Sequence, residues 1–222
     1  MKITAFSEVT IDGRLALGNG LSSKSLFDFY GAELRQWFHA ERAAHDAIMV
    51  GAGTIRIDNP ELTVRHVVGR NPLRVIPSND GKIPAESHVL TDGLPTLIVV
   101  PLKLPDPVRN QLEARAGVRL MTCGETTVDL SGLAKGLSSL GVGSLMVEGG
   151  GRLLHGMFGA GLVNRIVIKH IPVISGAVDA PSYFAAETGA TAVDLSRWAV
   201  VDWRLIGGVG VAIYEPLEGL KT

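Results

Sequence analysis

The sequence predicts an α/β fold: a mostly parallel central sheet flanked by helices, closed by antiparallel C-terminal strands. Two observations carry this expectation. Short apolar runs of strand length alternate with stretches of helical period from the N-terminus through Gly159. After that the chain switches to residue-by-residue alternation, and two such runs meet across Gly207-Gly208, a two-glycine hairpin signal. Strand–helix–strand units give parallel pairing through crossovers, and a hairpin gives antiparallel pairing.

Residues 3–9 read as the first strand. Leu26, Tyr30, Leu34, Trp37 and Phe38 recur at helical spacing, so residues 25–44 read as one helix. Residues 47–50 form a short strand ending in Gly51-Ala52-Gly53-Thr54, and residues 73–76 and 96–100 are two more buried strands. A helix over 107–116, a strand over 118–121 and a weaker helix over 130–140, which contains Gly132 and Gly136, follow. Residues 144–147 are a strand leading directly into Glu148-Gly149-Gly150-Gly151, and residues 152–159 continue as a helix. Residues 165–171 and 199–205 alternate, and the latter pairs with 209–214. Ligands of such sheets sit beyond the carboxyl ends of the strands, where both glycine clusters fall.

A length of 222 residues fits one large α/β domain spanning 1–222. A net charge of −1 offers no electrostatic footprint for nucleic acid and no polybasic membrane patch. The single cysteine, Cys123, makes no internal disulfide and no zinc site alone, and reads as a small buried hydrophobe. Glu8 and Asp12 interrupt the first apolar stretch, which argues against a signal peptide, and no apolar run approaches the roughly 18 residues of a membrane span. A cytoplasmic location is the expectation. The mean hydropathy of +0.26 and the apolar late strands lead us to expect a homodimer.

The segment Leu145-Met146-Val147-Glu148-Gly149-Gly150-Gly151-Arg152-Leu153-Leu154 is strand, glycines, helix. A helix N-terminus presents unpaired N–H groups and a positive dipole end, and glycines let an anion approach the backbone closely. A tight turn needs one glycine; three in a row favour a phosphate site. The run lacks the third glycine of G-x-G-x-x-G, since Leu154 stands there, so the site differs from the Rossmann construction. In the second cluster Asp58-Asn59-Pro60 is turn chemistry, and Asp58 and Arg65 taken singly read as a turn cap and a surface charge.

Taken together, the two segments carry a resemblance. Residues 51–65 and 146–161 are similar to the hallmark motifs G-x-G-T-(x)3-D-(D/N)-P-x-L-T-x-R and V-E-G-G-(x)n-G-L-V of the riboflavin-pathway pyrimidine reductases. Thr10-Ile11-Asp12-Gly13-Arg14-Leu15-Ala16, Asp46-Ala47-Ile48-Met49-Val50-Gly51 and Pro72-Leu73-Arg74-Val75-Ile76 match as well, in order along nearly the whole chain. The resemblance implies a dihydrofolate-reductase-like fold. It also implies NADPH-dependent reduction of the ribosyl group of a (di)aminopyrimidine ribosyl phosphate to the ribityl form, within a single reductase domain without metal. It places Thr54 and Asp58 at the cofactor, with Gly149, Gly150, Gly151, Arg152 and Leu153 around its phosphates. It turns Arg42, Leu62, Arg65 and Glu148 toward the substrate, Glu148 being the catalytic candidate, with Arg42 and Arg65 on the phosphate. The chain departs from the family pattern at Phe6 and Glu8 and at Pro77-Ser78-Asn79. The proton donor is open between Glu148 and a water, Glu8 is an unassigned carboxylate, and the pyrimidine is either deaminated or not. The competing readings are a reductase of the same fold acting on a related pterin or pyrimidine, and a non-catalytic nucleotide-binding module.

His39-Ala40-Glu41 is similar to the H-A-E of zinc nucleobase deaminases, but that site also requires P-C-x-x-C, which Cys123 alone cannot supply. The tripeptide lies inside an amphipathic helix and reads as helix surface. His155 reads as solvated.

Overall fold

The switch in sequence period shows directly in the strand pairing. The computed structural model describes residues 1–18, 22–178, 180 and 197–217. Its strands are β1 (Lys2–Val9), β2 (Ala47–Met49), β3 (Leu73–Pro77), β4 (Thr96–Val100), β5 (Val118–Thr122), β6 (Ser144–Val147), β7 (Arg165–His170), β8 (Trp198–Ile206) and β9 (Val209–Pro216). Among the described residues these form one nine-stranded sheet in the order β5-β4-β3-β2-β6-β1-β7-β9-β8. Every pair from β5 across to β7 is parallel, and β9 runs antiparallel to both its neighbours. The expectation of a mostly parallel sheet with antiparallel C-terminal strands holds. The alternating run 165–171 nevertheless belongs to the parallel set, because it is reached from β6 through a helical crossover rather than a hairpin.

The helices are α1 (Ala32–Ala44), α2 (Ala52–Asp58), α3 (His88–Thr91), α4 (Asp106–Glu113), α5 (Leu130–Ser139) and α6 (Gly151–Gly159), preceded by a 3₁₀ helix over Ser23–Phe29. Apolar clusters assign them to faces. Leu133 and Leu137 of α5 and Leu154 and Met157 of α6 pack with Ala5, Met49 and Val147 on one face. On the other, Leu34 and Phe38 of α1 cover Phe6, Met146 and Val167, while Ile55 of α2 and Leu112 of α4 cover Ile48, Ile76 and Ile98. This second layer is split in two, and the seam falls over β2 and β6.

Residues 25–44 do not form the single helix that their spacing suggests. Tyr30 and Gly31 are extended (ψ 112° and 168°), and Gly31 caps α1. Arg35 makes the break tolerable: Nε donates to the Tyr30 carbonyl and Nη2 to the Phe27 carbonyl, both at 2.9 Å, satisfying groups a continuous helix would have paired internally. The break frees the Tyr30 hydroxyl to reach Glu8 Oε2 at 3.2 Å. The glycine cluster after β2 opens a helix directly: Gly51 is the N-cap of α2, which starts at Ala52.

The chain from α2 back to β3 is held from beneath by Arg74, which is 1% exposed. All of its N–H donor capacity is used, on Thr96 Oγ1, the carbonyls of Glu61 and Leu94, and both oxygens of Asp92. Burial alone would raise the Asp92 carboxyl, but the Arg74 guanidinium outweighs it and holds the group below its ordinary value. The bond to Glu61 fixes the start of the segment that lines the site.

Candidate active site

Three neighbouring strands aim side chains into the seam. Period-two alternation puts Phe6 and Glu8 of β1 on the face that carries Met146, and the next residue of that parity beyond β6 is Glu148. The Glu148 N–H still donates to the Met49 carbonyl at 3.0 Å, so the residue leaves the sheet in register with β2. Lys169 of β7 lies directly beside Glu8. A cleft opens there between α1, α2, the 3₁₀ helix and the segment after α2.

The floor of the cleft is ionic. Arg42 Nε and Nη2 donate to Glu148 Oε1 and Oε2 at 2.5 and 2.6 Å, and Nη1 donates to the Thr63 carbonyl at 3.0 Å. The two side chains are only 6% and 8% exposed. Burial alone would lower the Arg42 guanidinium, but the Glu148 carboxylate outweighs it and raises it further, so the cation is permanent. Beside this pair, Lys169 Nζ lies 2.9 Å from Glu8 Oε2 and 3.7 Å from the centroid of the Phe38 ring. Burial and the Glu8 charge push the Tyr30 phenol well up, which keeps it a protonated donor to Glu8.

The rim is formed by the segment after α2. Asn59 (φ 41°) and Leu62 (φ 56°) adopt left-handed backbone, which Asn tolerates and Leu disfavours. Leu62 is buried, and the carbonyls on either side of it are gripped by buried arginines, Glu61 by Arg74 and Thr63 by Arg42. Arg65 lies farther out, bonded to Glu61 Oε2 at 2.9 Å and to Thr63 Oγ1 at 3.0 Å, with its side chain 43% exposed. Lys24 reaches across from the 3₁₀ helix to the Asp58 carbonyl. Asp58 Oδ1 is buried without a hydrogen-bond partner among the described residues.

The structure therefore gathers Arg42, Thr54, Asp58, Leu62, Arg65 and Glu148 around one cleft. Gly149, Gly150, Gly151, Arg152 and Leu153 stand beside it rather than lining it. Gly150 (φ 89°) is the N-cap of α6, and the first turn has no side-chain cap. A Cβ on Gly150 would lie 3.2 Å from Thr54 Oγ1, so the two glycine clusters abut, whereas a Cβ on Gly149 or Gly151 would meet no atom within 4 Å. Open space over uncapped N–H groups at a positive helix end fits a dinucleotide phosphate.

Two side chains escaped the sequence reading. Lys169 was hidden in an alternating strand; a lone cation on the parity of Val167 and Ile171 was the available signal. His39 is not helix surface: it is 5% exposed, its Nδ1 accepts the Arg65 N–H at 3.1 Å, and its ring meets His66 edge-on at 4.6 Å. The segment after α2 folds back over α1 and covers it, a tertiary contact that helical periodicity does not contain. His155 is exposed, as expected.

The sequence profile of the family described as RibD C-terminal domain matches residues 1–207. A 2,5-diamino-6-ribosylamino-4(3H)-pyrimidinone 5′-phosphate reductase of Aquifex aeolicus is 37% identical over 182 residues, covering 82% of this chain and 81% of the relative. A protein of the same description from Methanothermobacter thermautotrophicus is 37% identical over 175 residues, 78% of each chain. Among solved structures, RibD of Acinetobacter baumannii superposes with a TM-score of 0.79 at 21% identity over 98% of this chain; this chain spans 58% of that one.

His39 gives a pH prediction. Burial first, then the charges of Arg42, Arg65 and His66, lower its pKa from 6.5 to about 3. The unfolded chain thus binds a proton between those values that the folded chain does not, and stability falls as pH drops from 6.5 toward 3. His39→Asn, which keeps a neutral acceptor, is expected to flatten that part of the stability–pH curve measured by urea unfolding. An unchanged slope contradicts the assignment.

Proposed function

The chain belongs to the RibD C-terminal domain family and has its dihydrofolate-reductase-like fold, and from that premise we propose that it reduces the ribosyl group of a diaminopyrimidine ribosyl phosphate to the ribityl form with NADPH, in riboflavin biosynthesis. The observation that carries the reading is the pairing of two compartments at the carboxyl ends of adjacent strands. One is an open, uncapped helix end suited to an anionic dinucleotide; the other is a cleft with a fixed ionic floor and a basic rim suited to a phosphorylated sugar. The undeaminated pyrimidine is favoured, since the reductases that share 37% identity over most of both chains are described by that compound.

Each side chain has a role that follows from its setting. The first turn of α6, from Gly151 through Leu153, and the glycines before it hold the dinucleotide phosphates, with Thr54 at the junction of the two compartments. Asp58 Oδ1, buried and without a partner among the described residues, accepts from a ligand hydroxyl or amide. Bound there, the reduced nicotinamide supplies the hydride. Arg65, exposed enough to turn from Glu61, meets the substrate phosphate, joined by Lys24. Arg42 lines the same cleft and uses three of its five N–H donors on Glu148 and Thr63, so it serves the substrate chiefly by fixing Glu148 as an acceptor for hydroxyls or the pyrimidine amine. Leu62 and Phe6 wall the cleft and exclude water. We further propose a homodimer. Among the described residues β8 is the edge of the sheet and exposes Val200, Val201, Trp203 and Leu205, an apolar strip that a second copy covers.

Three measurements test these proposals. NADPH oxidation is expected with the diaminopyrimidine ribosyl phosphate, and roughly tenfold or more slower with its deaminated counterpart; turnover of neither leaves only nucleotide binding. Gly151→Leu is expected to fold normally, because a Cβ added there meets no atom of the described residues within 4 Å, yet to weaken NADPH binding roughly tenfold or more. Unchanged affinity removes the α6 terminus from the site. Sedimentation at micromolar concentration is expected to give twice the 23.5 kDa chain mass, and a monomer sinks the dimer proposal.

A further inference from the structure

We propose that Lys169 is the acid that protonates the sugar-ring oxygen of the substrate as the ring opens for reduction, an inference that rests on the ribosyl-reductase reading of the cleft. Val167 and Ile171 share the parity of Lys169 and are buried in the apolar cluster over α1, yet a lysine stands between them and is 0% exposed. A cation there needs a reason, because burying an ammonium is costly unless it is paired and hydrogen-bonded. The pairing is present but incomplete. Nζ approaches Glu8 Oε2 at 2.9 Å, and that same oxygen already accepts the Tyr30 hydroxyl at 3.2 Å. The Phe38 face takes a second direction at 3.7 Å. Despite these contacts Nζ makes no aligned hydrogen bond among the described residues, and the side chain lines the cleft. The Tyr30 ring lies farther off at 5.1 Å, and ring faces hold an N–H more weakly than an oxygen does, so the three-donor ammonium has capacity for an acceptor brought by a ligand.

The other groups lining the cleft do not fit the task. Arg42 and Arg65 carry guanidinium groups that do not give up protons. Both Glu148 oxygens accept from Arg42. Glu61 is bound to Arg65 and Glu8 accepts from Tyr30, while Asp58, whose Oδ1 meets no donor among the described residues, stands at the end of α2 rather than on the sheet floor. Lys24 is bonded to the Asp58 carbonyl at the rim, where His88 is exposed. Among the described residues lining the cleft, Lys169 is the buried amine, and it shares the cleft with Glu148.

The chemistry balances. The C1′–O bond breaks with its electron pair going to oxygen, which takes the proton from Nζ. The exocyclic nitrogen lone pair forms the C1′=N bond, and C1′ then accepts the hydride, returning the pair to nitrogen. One hydride and one proton are consumed, the sugar carbon is reduced by two electrons, and Lys169 regains its proton from water after product leaves. Glu8 and the Phe38 ring hold the ammonium in place between turnovers.

The test uses the full chain with NADPH and the diaminopyrimidine ribosyl phosphate, in single turnover, alongside thermal melting and NADPH-binding fluorescence. K169M is expected to fold and bind NADPH as the wild type does, but to reduce substrate roughly 100-fold or more slowly. K169R, which keeps the charge but has no proton to give, is expected to be equally slow. In K169A the vacated space opens on the cleft, and added ethylamine is expected to restore the rate, with rescue depending on the amine's acidity; K169M, whose side chain fills that space, is not rescued. If K169M fails to melt cooperatively, E8Q/K169M removes the stranded carboxylate and is read in the same way. A wild-type rate in K169M or K169R, or a folded K169A that no amine rescues, overturns the proposal. Inactivity of the wild type itself, with NADPH still bound, overturns the ribosyl-reductase reading and this inference with it.

Discussion

The bidentate pair between Arg42 and Glu148 is the contact on which the cleft depends. It joins α1 to the end of β6, and the third bond of Arg42, to the Thr63 carbonyl, adds the segment after α2. Three elements far apart in sequence thus meet at one guanidinium that water barely reaches. Removing one member of such a buried pair costs roughly 3–5 kcal/mol, because the other charge is left without a partner. The pair also supports local strain. Leu62 in the left-handed region costs of order 1–3 kcal/mol. It persists because its own side chain is buried and both flanking carbonyls are held by arginines whose positions are fixed elsewhere.

That anchor sits where the topology needs it. The chain steps from β2 outward to β5, then returns to lay β6 between β2 and β1. The loops following β2 and β6 are therefore neighbours although nearly a hundred residues of sequence separate them, and the helices they start, α2 and α6, lie on opposite faces of the sheet. A crevice follows from this divergence. Its α6 side is backbone and open space, suited to phosphates. Its α2 side is walled by side chains, charged at the floor and rim and apolar between.

Much of this was legible in the sequence, because strand and helix periods are local and glycine clusters mark strand ends. The parallel sheet, its antiparallel close and the convergence of Arg42, Thr54, Asp58, Leu62, Arg65 and Glu148 were all expected from pattern and resemblance. What escaped was set by contacts between distant segments. Tyr30 and Gly31 break a helix whose apolar spacing looked continuous, since Arg35 satisfies the carbonyls released and Glu8 takes the phenol. His39 has the sequence environment of a helix surface and is buried only because residues after α2 fold across it. Lys169 looked like one polar position in an alternating strand, and its meaning came from the register that set it beside Glu8. Glu8, a carboxylate without an assignment in the sequence, gains one by the same register.

Arg42 and Glu148 act as one unit in holding the cleft. The direct measurement is a double-mutant cycle on kcat/KM with Arg42→Met, Glu148→Gln and the combination, assayed with the diaminopyrimidine ribosyl phosphate. Each single change is expected to cost roughly 100-fold, and the double to cost no more than the worse single, since the second change removes a group already displaced. Independent, multiplying losses in the double variant would contradict the account.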